Sequence, residues 1–508
     1  MSRRERTVPA RDEIKFPPGV GARIPPHQRP LRPLERVVLC HLGIFLVGIT
    51  WAFGGGAEWL RPELAWWGSL GALLTLTALQ DCESLRDGWL RSAWWLLPWL
   101  AFNAFVVAGC LNPSFRDVKF GAETLLVNDG GRAGFPSSAR PLIGLNALWL
   151  FDAIWISCFN LVLVVRQRRA VRGLLLVGGA NALALAVFGT VQKLAGAKGI
   201  FFGAQASPQP YFFASFVYHN HWGSFAVLMM AACLGLVWHF ARRHDTRGFF
   251  HSPAFGGLIA VFFLALSVPL STSRSCTVLT AGLLGLAWCH WLARLARKRR
   301  RFRESIILPL CGGLATVAVA AAGIWYVARD TIAMRFAKTE QQIQEIRARG
   351  DIGSRAELYR NTWTMAQAKP WFGWGMGSYP HVFTLYNTRQ SIDKLPVFYR
   401  DAHSDWLQAF AEQGFVGTTL LGLCGLLPLL SLRRRHLASI LPCYLLGGCG
   451  LILIYAWVEF PFGNLAVVLT WWLCFFCAVQ YCRLHDREAP AAKAPSLSPS
   501  TEAGTSPI

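Results

Sequence analysis

SIILPLCGGLATVAVAAAGIWYVA, residues 305–328, carries no charged side chain and lies between the basic run Arg294 to Arg303 and Arg329. A bilayer core of ~30 Å is crossed by ~20 apolar residues in a helix, which satisfies its own backbone there. The stretch therefore reads as a membrane span. Working outward, similar runs cover residues 37–54, 66–80, 93–110, 142–165, 173–192, 222–240, 254–270 and 276–293 before it. Residues 415–432, 437–458 and 465–482 repeat the pattern after it. The expected fold class is an all-α, polytopic integral membrane protein of about twelve transmembrane helices. Composition agrees, since the 508 residues are 53% hydrophobic and 15% charged, with 22 Trp and 34 Phe. These values lie well outside the range of a soluble domain.

Charge placement sets the topology. Arg166, Arg168, Arg169 and Arg172 follow the fourth span, and Arg242, Arg243 and Arg247 the sixth. Arg294, Arg297, Lys298, Arg299, Arg300, Arg301 and Arg303 follow the eighth, and Arg433, Arg434 and Arg435 the tenth. Every cluster comes after an even-numbered span, so the positive-inside rule puts these loops and both termini in the cytoplasm. The net charge of +22 is thereby spent on orientation, in separate short loops, and no nucleic-acid partner is expected. Residues 1–36 and 483–508 read as disordered tails, and the polar, Pro-rich N-terminal one is not a cleavable signal peptide. Residues 37–328 carry nine spans, 329–413 form one large, partly helical outer loop, and 414–482 carry the last three spans. The loop balances 11 Lys and Arg with 9 Asp and Glu. Most of the 14 cysteines sit in apolar spans, Cys474 and Cys477 included, and read as small buried hydrophobes.

The outer loop is where chemistry is expected. Asp330 to Arg349 reads as a solvated helix. Ser354 and Glu357 have capping-box spacing, so a helix should run from there to about Ala368, ended by Pro370. Arg355 then sits in a first turn, where it opposes the macrodipole unless an anion neutralises both. A local ion pair with Glu357 is the plainer reading. Arg360, a turn and a half on, is a weaker anion ligand. Trp371-Phe372-Gly373-Trp374-Gly375-Met376-Gly377 lacks P-loop spacing and reads as a structural turn. His403 closes the loop, with Asp405 and Gln408 spaced as a second capping box and a short helix ending near Gly414. Histidine there is the residue type that takes a hydroxyl proton near neutral pH. Asp401 and Asp405 are badly spaced to orient it. Arg274, in the tight turn Ser271 to Ser275, lies at membrane depth on the outer side, as a functional cation or one that snorkels to the headgroups. His219, Asn220 and His221, before the sixth span on the same face, suit a polar ligand or an interfacial anchor.

In this order the pieces resemble the O-antigen ligase and O-antigen polymerase family of bacterial membrane glycosyltransferases. Asn220, Ser273-Arg274, Arg355, Lys369-Pro370-Trp371-Phe372-Gly373-Trp374-Gly375-Met376-Gly377, His403-Ser404-Asp405-Trp406-Leu407-Gln408 and Glu412-Gln413-Gly414 carry the likeness, over about residues 210–430. His219 and His221 flank a single Asn220, where the family often has two asparagines. The resemblance implies inverting transfer of a glycan from a polyprenyl-diphosphate carrier to an acceptor hydroxyl on lipid, glycan or protein. It implies the periplasmic face of the bacterial inner membrane, with bilayer lipids around the chain. His403 matches the general base, and Arg274 and Arg355 match the cations for the diphosphate. No metal or cofactor is expected: Glu58, Glu63, Asp117, Glu123 and Asp129 are scattered, and two arginines can serve as the cation. A twelve-span transporter or lipid flippase, with Asp152 and His239 as inward ionisable groups, is the competing class. A scaffold subunit of a polysaccharide export complex is a third.

Overall fold

The computed structural model describes residues 30–121, 123–209, 211–241, 246–349, 354–388, 398–432 and 439–488. The outer parts of both expected tails, Arg242, Arg243, Gly353 and Arg433 to Arg435 lie outside the described residues. The chain is built almost wholly of helix. These are α1 Pro33–Trp51, α2 Arg61–Gln80, the bent α3 Cys82–Cys110, α4 Pro141–Val164, α5 Arg168–Leu194 and α6 His219–Ala241. They continue with α7 Pro253–Leu270, α8 Arg274–Phe302, α9 Ile307–Arg349, α10 Ser354–Ala368, α11 Asp405–Leu430, α12 Ile440–Tyr455 and α13 Leu465–Glu488. Proline at the first helical position opens α1, α4 and α7, where its missing N–H costs nothing.

Among the described residues, ten helices are long and apolar enough to cross a membrane, so this is a multi-pass membrane protein. The other two of the twelve expected spans exist as helices but differ from that pattern. α12 has 16 residues, and α2 has 20 but falls outside the ten. One hairpin departs from the all-α expectation: β1 Phe115–Phe120 pairs antiparallel with β2 Glu123–Asn128 in the third-to-fourth span connection. The expected loop boundary at residue 329 falls inside α9, which continues from the apolar stretch to Arg349 as one helix of 43 residues.

Helices α4, α6 and α13 form the enclosed centre, and α9 lies at the outside, packed on α7. Close approach depends on small residues, as it does where lipid removes the hydrophobic drive between helices. A Cβ on Gly68 or Gly71 of α2 would come within 2.7 or 2.4 Å of Ala153 and Ser157 of α4. Gly448 of α12 seats Ala231 of α6 in the same way. Asp152 is held locally: Trp99 Nε1 and Asn103 Nδ2 both donate to its Oδ1, at 2.7 and 3.0 Å.

The glycine-rich stretch, expected as a structural turn, also clamps Glu412. Gly375 N donates to Glu412 O at 2.7 Å, and Gly377 N and Tyr379 N donate to the Glu412 carboxylate at 2.8 and 3.0 Å. Helix α11 breaks at Gly414, with φ 61° and ψ −167°, a region essentially reserved for glycine. A Cβ there would lie 2.5 Å from the backbone of Trp371 and Phe372. Gly414→Ala is therefore expected to cost more than about 2 kcal/mol of stability, through strain and a backbone clash together. Thermal unfolding of purified full-length protein in detergent measures it; an unchanged midpoint would show that the clamp tolerates a side chain.

Candidate active site

Six helix ends meet in one place: the N-terminal ends of α6, α8, α10, α11 and α13 and the C-terminal end of α12. For a chain that crosses with each span, these ends belong to one face of the membrane. α11 starts with Ser404 as its N-cap, whose hydroxyl accepts from Leu407 N at 3.4 Å. This corrects the capping box expected at Asp405. That carboxylate reaches across instead and accepts from Phe462 N at 2.8 Å, while Asp405 N donates to Glu459 O at 3.2 Å. One residue thus pins the α12–α13 connection, residues 456–464, against the start of α11.

The connection delivers Glu459, with a side chain only 2% exposed. Its Oε2 lies 3.4 Å from Nδ1 of His403, and its Oε1 accepts from Nη2 of Arg355. Arg355 also donates from Nη1 to Val458 O at 3.3 Å. Burial alone pushes the Glu459 carboxyl up, but the His403 hydrogen bond and the Arg355 guanidinium outweigh it and hold the group below the usual carboxylate range. A buried carboxylate between two cationic or proton-bearing partners is then kept ionised. Arg355 pairs with Glu459 rather than with Glu357, whose Oε1 accepts from Thr388 Oγ1 at 2.8 Å.

His403 is held at φ +51°, left-handed backbone that only a few per cent of non-glycine residues adopt. Tyr359, one turn beyond Arg355 on α10, donates its OH to His403 O at 2.9 Å and fixes that turn. The Phe460 ring meets the imidazole edge-on at 4.8 Å and stacks on Tyr218 at 5.4 Å. Strain of this kind persists where surrounding contacts over-determine it, and it clusters at functional sites.

The other expected residues divide. His221 Nε2 lies 3.3 Å from Phe460 O, and Asn220 Nδ2 donates to Tyr218 OH at 2.9 Å. Ser273 Oγ donates to Asn220 Oδ1 at 2.6 Å, so the residue before Arg274 is tied into the same network. Arg274 itself is the first residue of α8, with an exposed side chain. His219 stands edge-on to Tyr218 at 4.7 Å. Arg360 is exposed and, five residues from Arg355, lies roughly 140° around α10, off the face that carries Arg355 and Tyr359. Burial and the nearby Glu459 carboxylate push the Tyr218 phenol up, so it stays protonated.

Sequence reasoning missed Glu459, Phe460, Tyr218 and Tyr359. A signal existed for the first: Glu459 is the single acidic residue between positions 437 and 482. An isolated acid on a short connection between apolar spans is costly to keep and marks a partner nearby.

Residues 259–422 match the family model described as O-antigen ligase. Over that stretch the chain is similar to O-antigen ligases. The match begins in α7 and ends in α11, so it spans Arg274, Arg355 and His403, whereas His219 to His221 and Glu459 lie outside it. A comparison with curated proteins found no match. The O-antigen ligase and polymerase resemblance read from short stretches of sequence is supported by this match, as is, together with the apolar helices, a membrane role in polysaccharide biosynthesis.

Proposed function

We propose that this chain transfers a glycan from a polyprenyl-diphosphate carrier to an acceptor hydroxyl at the periplasmic face of the inner membrane. The observation that carries the reading is the Glu459 carboxylate set between His403 Nδ1 and the Arg355 guanidinium. Glu459 accepts a hydrogen bond from Nδ1–H of His403, which leaves the Nε2 lone pair for the acceptor O–H. As that proton moves to Nε2, the acceptor oxygen attacks the anomeric carbon from the side opposite the diphosphate. The carbon–oxygen bond to phosphate breaks, its electron pair leaves on the carrier diphosphate, and the anomeric centre inverts.

Charge grows on the leaving diphosphate, and Arg355 and Arg274 are the groups to meet it. Arg355 spends two of its donors on Glu459 and Val458, and its half-exposed guanidinium keeps the rest of its five N–H groups for phosphate oxygens. The 3.4 Å separation of His403 and Glu459 is at the long end of a hydrogen bond, as is common before substrate binds. In this reading Asn220, His221 and His219 serve acceptor or sugar hydroxyls, whereas Arg360, on another face of α10, takes no part.

The test is reconstitution. Full-length protein in liposomes is supplied with a carrier-linked repeat and, in separate reactions, a lipid A-core acceptor, a second carrier-linked repeat or an acceptor protein. The expected result is product with one acceptor class: a ladder on a gel for polymerisation, or a single shifted band for ligation. Carrier movement across the bilayer with no glycosidic product from any acceptor would overturn the reading in favour of a flippase.

A further inference from the structure

Helix α8 runs 29 residues from Arg274, ~43 Å at 1.5 Å per residue, so its other end is a membrane thickness away from Glu459. That end gathers Arg294, Arg297, Lys298, Arg299, Arg300, Arg301 and Arg303 beside one acid, Glu304. Between the last turn of α8 and the start of α9, a cavity of about 320 Å³ is lined by Arg299, Arg300, Arg303, Glu304, Ala296 and Ile306.

Three features of this cavity ask for an anion. Arg299 donates from Nη1 to Glu304, but its Nε–H is buried and meets no acceptor among the described residues. Arg303 closes α8 in left-handed backbone, φ 53°, where glycine is the ordinary choice, and this turns an arginine toward the cavity wall. Among the residues lining the cavity, three arginines, Arg299, Arg300 and Arg303, face the single carboxylate of Glu304. The surroundings are apolar at the same point: Phe302, Ile307 and Leu308 are all exposed, Leu308 by 83%. A soluble anion needs no such rim, whereas a lipid brings both a phosphate and acyl chains.

We propose that the α8–α9 turn binds the phosphate headgroup of an anionic phospholipid of the cytoplasmic leaflet. Arg299, Arg300 and Arg303 hold the phosphate through their planar N–H forks, which suit phosphate better than a point charge does. The acyl chains lie along Phe302, Ile307 and Leu308 and the exposed start of α9. Juxtamembrane basic clusters attract anionic leaflets in general; here an open groove lined by three arginines adds a position for one headgroup.

Native mass spectrometry of full-length protein with phosphatidylglycerol or phosphatidylcholine, each with and without millimolar inorganic phosphate, tests it. The expected result is selective retention of phosphatidylglycerol, weakened at least about tenfold in R299Q/R300Q/R303Q. Phosphate alone should not displace the lipid. R300Q/R303Q leaves the Arg299–Glu304 bridge intact and should lose retention while unfolding at the parent temperature in phosphatidylcholine. R86Q/R91Q, on exposed arginines of the same expected membrane face, should retain the lipid. Equal retention of both lipids, equal loss in R86Q/R91Q, undiminished retention in R300Q/R303Q, or displacement by phosphate alone would each overturn the proposal.

Discussion

His403→Ala is expected to lower glycan transfer by ~10²–10⁴-fold, the range a positioned general base contributes, while leaving expression and donor binding close to the parent. The imidazole touches Glu459 and Phe460 by its edges, and its backbone is held separately by Tyr359, so its removal empties the base position without removing the anchor of the turn. Arg355→Ala and Arg274→Ala should differ in kind, weakening donor binding as well as turnover. Rates with saturating donor, set beside binding of a carrier-diphosphate analogue, separate the two outcomes. Near-parent turnover by the histidine variant would remove it from the base role.

Glu459→Gln should cost ~10²-fold or more in turnover although the side chain keeps its shape. An amide offers no charge to stabilise the imidazolium that forms, and it can present an N–H where His403 needs an acceptor. It also leaves the Arg355 guanidinium without its carboxylate, and breaking a buried pair by removing one partner typically costs 3–5 kcal/mol, discounted here because the arginine is half exposed. The pH dependence has a definite sign. Glu459 titrates below the ordinary glutamate value of ~4.3, so the stability it contributes is complete above that value. It is lost as the pH falls through the lower value of the folded state. The thermal midpoint of the parent should therefore drop more steeply below about pH 4 than that of Glu459→Gln. Parallel curves for the two proteins would show that the bridge adds nothing to stability.

Much of the architecture was legible because its cause is local. A helix in lipid needs only a run of apolar residues, and twelve such runs appear as helices near their expected positions. Helix α10 ends at Ala368 before Pro370, and α11 breaks at Gly414, where a turn-forming residue interrupts the pattern. Less was legible where one residue had two uses. Ser404, not Asp405, caps α11, because the Asp405 carboxylate is taken by Phe462 N across the α12–α13 connection. Spacing along one strand of sequence cannot show such a competitor.

Sequence alone determined the class of the protein and the chemical types in its large polar loop: apolar runs, basic clusters between them, and a histidine and arginines set among glycines. Which side chains face one another was decided only by the packing of α10, α11 and the α12–α13 connection. Glu459 stands 56 positions from His403 and 104 from Arg355, and only the folded bundle brings them together. The physical reason is range. Backbone hydrogen bonding and hydropathy act within a few residues and therefore print themselves on the chain, whereas a buried carboxylate finds its cations through contacts among helices whose order in space the local pattern does not specify.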